Sequence, residues 1–109
     1  MKRVDKPWGY EEILAHTETY VMKKMIINPG ARMSLQYHEI KEETIYVISG
    51  PLVVWEESGV KNLKTGDIYH VVPKQIHRFG AGTNPAILIE CSTTELDDVI
   101  RLEDDYNRN

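Results

Sequence analysis

The sequence has a single cysteine, Cys91, so no disulfide can form within the chain. Cys91 lies in the apolar run Ala86-Ile87-Leu88-Ile89-Glu90-Cys91, and a free thiol in such a run reads as a buried, inert group that packs as a small hydrophobe. No stretch reaches the roughly 18 to 20 consecutive apolar residues that a bilayer-spanning helix needs, and no membrane partner is expected. Nor does an apolar run follow the basic residues of Met1-Lys2-Arg3-Val4-Asp5-Lys6-Pro7, so the N-terminus does not read as a secretory signal and the cytoplasm is the expected location. Basic clusters are absent too. The net charge is −4 with Lys and Arg scattered, which argues against nucleic acid, whose phosphates need grouped cations. Mild acidity leaves an anionic small molecule open as a ligand. There is no internal linker and no low-complexity stretch.

What is present is an ordinary globular composition, 41% hydrophobic and 28% charged, in 109 residues. That length holds one core, so residues 1–109 read as a single domain. Apolar residues come in short bursts at 20–28, 33–38, 44–49, 52–57, 67–72, 76–80 and 86–91. Most bursts carry β-branched or aromatic residues and are too short to be comfortable helices. Between them stand turn-formers: Asn28-Pro29-Gly30, Ser49-Gly50-Pro51, Glu57-Ser58-Gly59, Lys64-Thr65-Gly66-Asp67 and Gly80-Ala81-Gly82-Thr83-Asn84-Pro85. Regularly spaced strands of this kind predict an all-β sandwich or closed barrel. The acidic end, Thr93 to Tyr106, carries Leu96, Val99, Ile100 and Leu102; it reads as a short helix or helical turn packed on the barrel, with Thr93 or Thr94 as cap, the alternative being a solvated tail.

Two stretches hold metal-ligand residue types at strand spacing. In Ser34-Leu35-Gln36-Tyr37-His38, alternation puts Gln36 and His38 on one face. Glu43 opens the next burst, and His77 begins another strand after Pro73. Two imidazoles, a carboxylate and an amide oxygen form a mixed N/O set suited to a divalent zinc, manganese, iron, cobalt or nickel ion. His70 shares a face with Val72 and reads as a packing or substrate-facing residue.

Spacing strengthens this set. From Gly30 the chain runs five residues to Gln36, one to His38, four to Glu43 and six to Gly50. The pattern resembles the first motif of the cupin superfamily, with Gln36 in place of its first histidine. His77 follows Gly66 by eleven residues, as in the second cupin motif, although Val72, Lys74 and Ala81 stand where that motif has proline, glycine and asparagine. The resemblance implies a small cupin barrel, a double-stranded β-helix or jelly roll, with Gln36, His38, Glu43 and His77 as metal ligands.

A narrower resemblance covers nearly the whole chain. Lys6-Pro7-Trp8-Gly9 is similar to the Arg-Pro-Trp-Gly opening of the C-terminal domain of type II phosphomannose isomerases. The run from Asn28 to His38 is similar to that family's Pro-Gly-x-x-Leu-Ser-Leu-Gln-x-His, which makes Gln36 an expected ligand, and Asp97 to Arg108 follows its acidic ending. In the family's His-His-His-Arg-x-Glu-His-Trp run, the Arg is replaced by Lys41 and the Trp by Ile45. A chain of this length has no room for the family's nucleotidyltransferase domain, so guanylyl transfer is not expected of it.

The resemblance implies a metal-dependent isomerase acting on mannose 6-phosphate, fructose 6-phosphate or a related sugar. Such a reaction moves a proton between neighbouring carbons through an enediol. Lys23, Arg78, Arg101 and Arg108 fall on cationic positions of the family and would hold the phosphate, each with an alternative as a surface charge. The catalytic group is left open among Lys23, Glu90 and Arg101, with Tyr37 and His70 as further candidates for the base. Two other readings stay open: a cupin of another reaction class, such as an epimerase or dioxygenase, and a non-catalytic sugar- or metal-binding cupin. Exposed barrel edges and the cupin resemblance together predict a homodimer.

Overall fold

The structure is a computed structural model that describes residues 2–109. Among them are eleven strands and no helix. Six form one sheet in the order β1 (Lys2–Lys6), β2 (Gly9–His16), β3 (Val21–Ile27), β10 (Ala86–Ser92), β5 (Glu43–Ser49) and β8 (Ile68–Val71). Five form the other: β11 (Ile100–Glu103), β4 (Leu35–Tyr37), β9 (His77–Ala81), β6 (Leu52–Glu56) and β7 (Gly59–Leu63). Every named strand pairing is antiparallel. No helix among the described residues is long and apolar enough to cross a membrane.

Period-two alternation places the core. On β3, Val21, Lys23, Met25 and Ile27 face in; on β5, Glu43, Ile45 and Val47; on β10, Ala86, Leu88, Glu90 and Ser92. Cross-strand register then sorts these residues along the barrel. Ile27 pairs with Ala86, whereas Lys23 pairs with Glu90 and Ser92 with Glu43. One half of the interior is therefore apolar, with Val54 from β6 and Phe79 from β9 adding to it, and the other half is polar. The apolar half drives folding by burial. The polar half opposes it unless its charges are paired.

Each burst in the sequence lies on a strand. Strands β1, β2, β7 and β11 were not legible as bursts, for a shared physical reason. β7 is exposed along most of its length, β1 is exposed at Lys2, Arg3 and Asp5, and β2 turns a glutamate, Glu11, inward where a hydrophobe would have marked the alternation. The helix expected near the C-terminus is strand β11 instead. Its Arg101 sits opposite Gln36, giving β4 a hydrogen-bonded neighbour on that side, and the β-branched pair Val99-Ile100 suits an extended backbone. Ile100 and Leu102 are exposed, while Tyr106 packs against the core. Thr93 caps no helix; its hydroxyl accepts from the Glu42 amide. Cys91 is exposed, because it alternates with the inward pair Glu90 and Ser92.

The turn before β9 departs from the cupin motif in an informative way. Lys74 stands where the motif has glycine and adopts φ 68°, a left-handed conformation that glycine adopts with least strain. Its amide donates to the His38 carbonyl at 2.6 Å, tying this turn to the loop that carries His38. Lys74→Gly is expected to stabilise the protein by about 0.5–1 kcal/mol in urea denaturation, the strain relieved less glycine's larger entropy loss. A loss of stability of that size would show that the Lys74 side chain contributes more than its backbone costs.

Candidate metal centre

His38, Glu43 and His77 come together in the polar half, from the stretch after β4, the start of β5 and the start of β9, and all are buried. Their ligand-type atoms lie within 4.8 Å of one another. Glu43 Oε1 is 3.4 Å from each of His38 Nε2 and His77 Nε2. The other ring nitrogen of each histidine faces a backbone carbonyl: His38 Nδ1 that of Asp98, and His77 Nδ1 that of Gln75 at 2.9 Å. A carbonyl only accepts, so both Nδ1 atoms carry the proton and both Nε2 lone pairs point at Glu43. Three acceptors therefore converge, His38 Nε2, His77 Nε2 and Glu43 Oε1, with no donor between them. The buried His38 Nε2 and His77 Nε2 have no hydrogen-bond partner, and Glu43 turns Oε1 toward both of them while its Oε2 faces the Lys41 ammonium. A divalent cation satisfies all three, and the N/O donor set fits zinc, manganese, iron, cobalt or nickel.

Gln36 lies opposite His77 in register and lines the cavity beside His38. Its amide oxygen accepts from Ser34 Oγ at 2.7 Å, which fixes the side chain and leaves the oxygen's second lone pair for a further contact.

Lys41 sets the electrostatics. Its ammonium is buried, 3.3 Å from Glu43 Oε2 and 3.1 Å from Glu90 Oε2. Burial alone would lower its pKa, but the carboxylates of Glu90 and Glu43 outweigh that and raise it, so Lys41 stays charged. Burial pushes the Glu90 carboxyl up to about 8, and the neighbouring Glu43 charge adds to the shift. Burial also disfavours ionised Glu43, but the contact with the Glu90 carboxyl and the charge of Lys41 hold it well below the usual carboxylate range. At neutral pH the proton of the glutamate pair therefore resides mainly on Glu90.

Asp98 organises the stretch that carries the ligands. Its carboxylate accepts from the amides of Glu39, Ile40 and Lys41 at 3.1, 2.8 and 2.9 Å, while its carbonyl holds His38 Nδ1. The C-terminal segment thus clamps the site, a role that no motif in the sequence marks.

A cavity of about 370 Å³ opens beside the cluster, lined by Gln36, His38, Lys41 and Glu90 and by residues of β1, β2, β3 and the C-terminal segment. Of the residues named from sequence, Lys23, Glu90, Arg101 and Arg108 line it. Lys23 is buried against Glu11 at 3.5 Å. Five expected residues do not line it. Glu43 and His77 of the ligand set stand beside lining His38 and outside the lining itself. Arg78 follows inward-facing His77 and so turns to the opposite face, where its Nε donates to the Met33 carbonyl at 2.8 Å. His70 points outward, between Thr44 Oγ1 at 2.9 Å and Glu42 at 2.7 Å. Tyr37 alternates with cavity-lining Gln36 and faces away from it. The sequence reading missed Glu11, Ser34 and the buried position of Lys41; inward parity on β2 was the available signal for Glu11.

A double-sheeted antiparallel barrel with a His, Glu and His cluster in its interior, carried on the two motif spacings, defines a cupin. Solved structures agree on the fold. KdgF from Halomonas has a TM-score of 0.79 at 22% identity over 89% of each chain, and a cupin-superfamily sugar phosphate isomerase from Silicibacter pomeroyi scores 0.71 at 22% identity, over 79% of this chain and 59% of that one. Within the cupins, the family model for the mannose-6-phosphate isomerase C-terminal domain matches residues 1–104, and the chain belongs to that family. Among curated relatives, the xanthan biosynthesis protein XanB of Xanthomonas campestris is 30% identical and the mannose-1-phosphate guanylyltransferase ManC of Salmonella typhimurium 32% identical, each over 98% of this chain. The chain spans about a quarter of the length of these relatives, 24% and 23%.

Proposed function

We propose that the protein is a metal-dependent sugar-phosphate isomerase, interconverting mannose 6-phosphate and fructose 6-phosphate or a related aldose–ketose pair. The observation that carries this reading is the convergence of His38 Nε2, His77 Nε2 and Glu43 Oε1 with no donor between them, next to a protonated carboxyl and a cavity of small-molecule size. His38, Glu43 and His77 would hold the ion, with Gln36 as fourth ligand. When bound, the ion supplies Lewis-acid polarisation of the sugar carbonyl. Glu90 is the group placed to hold and move a proton: it faces the cavity, and its pKa of about 8 lies near the operating range for acid–base catalysis. Lys41 fixes the Glu43 and Glu90 carboxylates relative to one another.

A non-catalytic binding cupin is the second reading, favoured by the fully buried Ile45 in place of the family's aromatic residue. Incubation of metal-loaded protein with mannose 6-phosphate decides between them. Formation of fructose 6-phosphate is expected; sugar binding without turnover, across several divalent ions, would favour the second reading.

We also propose a homodimer. The outer face of the six-stranded sheet carries Tyr46, Ile48 and Ile68, the last 67% exposed, and apolar side chains in one such patch are a common feature of subunit contacts. Sedimentation at micromolar concentration is expected to give a dimer, and a monomer at that concentration would refute it.

A further inference from the structure

We propose that a phosphate-recognition subsite lies at the mouth of the cavity, formed by Lys2, Lys6 and Arg101, and that Lys23, Arg78 and Arg108 are structural cations. The inference rests on the sugar-phosphate reading above and reassigns which residues would meet the phosphate. It follows from the partners of each cation. Lys23 is paired with buried Glu11, and Lys41 with Glu43 and Glu90. Arg108 is taken up by Asp104, whose carboxylate accepts from its Nε at 2.8 Å, from its terminal nitrogen at 3.0 Å and from its backbone amide at 2.7 Å. Arg78 lies outside the cavity, within 3.4 Å of Asp105 and 3.7 Å of Glu103.

Among the described residues, three cavity-lining cations have no carboxylate within ion-pair distance: Lys2, Lys6 and Arg101. Lys2 and Lys6 lie on the same side of β1 because alternate residues share a face. Arg101 lies on β11, and its Nε is buried without a hydrogen-bond partner. β1 and β11 are edge strands of the two sheets, so these charges flank the opening between them. Asp97 and Asp98 border the same opening; Asp98 is already engaged by three amides, while Asp97 is exposed on the rim. Even counting Asp97, cations are in excess.

Register supplies the distance. Arg101, Gln36 and His77 stand opposite one another on β11, β4 and β9. Adjacent strands are about 4.8 Å apart, so Arg101 and His77 are separated by roughly 10 Å of sheet. That span is comparable to an extended six-carbon sugar phosphate, whose phosphate would meet Arg101 while its carbonyl end reaches the His38, Glu43 and His77 cluster. Arg101 offers the forked, planar donor geometry that suits phosphate oxygens, and the lysines add point charges.

The test uses inorganic phosphate with metal-free protein, so that the ion cannot supply the contact, and follows binding by calorimetry. Wild-type protein is expected to bind phosphate, and the Lys6→Met/Arg101→Met variant to bind it at least about a hundredfold more weakly, at roughly tenfold per charge-assisted contact removed. Lys24→Met/Lys64→Met, with both substitutions outside the cavity lining, controls for net charge and is expected to bind as wild type. If the Arg101 substitution prevents folding, Lys2→Met/Lys6→Met on edge strand β1 takes its place with the same expected direction. No phosphate binding by wild type, or equal weakening in the control variant, overturns the subsite. Phosphate binding that follows this pattern, in a protein that neither binds nor converts mannose 6-phosphate when metal-loaded, upholds the subsite and refutes the isomerase reading.

Discussion

Lys41→Met is expected to lower the stability of the metal-free protein by about 3–5 kcal/mol, the usual cost of leaving a buried charge without its partner. The ammonium is the cation that faces both Glu43 and Glu90, and all three side chains are buried. Its loss leaves two carboxyl groups in contact, a pair that avoids repulsion only by keeping a proton. The defect should therefore depend on pH. The folded Glu90 carboxyl titrates near 8, above its unfolded value of about 4.5, so the stability it contributes is present at low pH and is lost as pH rises toward 8. With Lys41 gone that loss deepens, and urea denaturation should show a larger deficit at pH 8 than at pH 5. Lys41→Arg, which restores the family's residue type and keeps the charge, should recover most of the stability. A deficit below about 1 kcal/mol at both pH values would contradict the assignment of Lys41 as the charge that balances the site.

Removing either imidazole is expected to act on metal rather than on fold. His38→Ala and His77→Ala should each reduce bound divalent metal by at least about tenfold, because each deletes a ligand whose orientation is fixed by a backbone carbonyl. His16, at the end of β2 and outside the cavity lining, is the control, and His16→Ala should keep wild-type metal content. Equal metal content in all three variants would refute the ligand set.

The same contrast between local and long-range information explains how much could be read from the sequence. The interior polar set was legible because cupin motif spacing carries it: Gly30, Gln36, His38 and Glu43 lie within one short segment, and His77 keeps its interval from Gly66. Glu90 stood as one open candidate for the catalytic group; the parity that buries it also exposes Cys91, and a uniformly apolar run concealed which parity holds. The C-terminal strand was misread as helical because its apolar residues fit either period, and its partner β4 lies more than 60 positions earlier in the chain. The pairing of Lys23 with Glu11 and of Arg108 with Asp104 depends on three-dimensional neighbours, so family position alone could not tell a phosphate ligand from a neutralised structural cation. Lys41 is the clearest instance. In the sequence it is a Lys where the family has Arg, whereas in the fold it is the buried counter-charge of two glutamates.

His38 Nε2, His77 Nε2 and Glu43 Oε1 converge with no donor between them, an arrangement suited to holding a cation. Calorimetric titration of metal-free wild-type protein with zinc or manganese measures this directly, with Glu43→Gln in parallel. The predicted result is one ion per chain for the wild type and at least about tenfold weaker binding for Glu43→Gln, which keeps the shape of the side chain and removes its charge. Absence of binding by the wild type, or equal affinity in the two proteins, would contradict it.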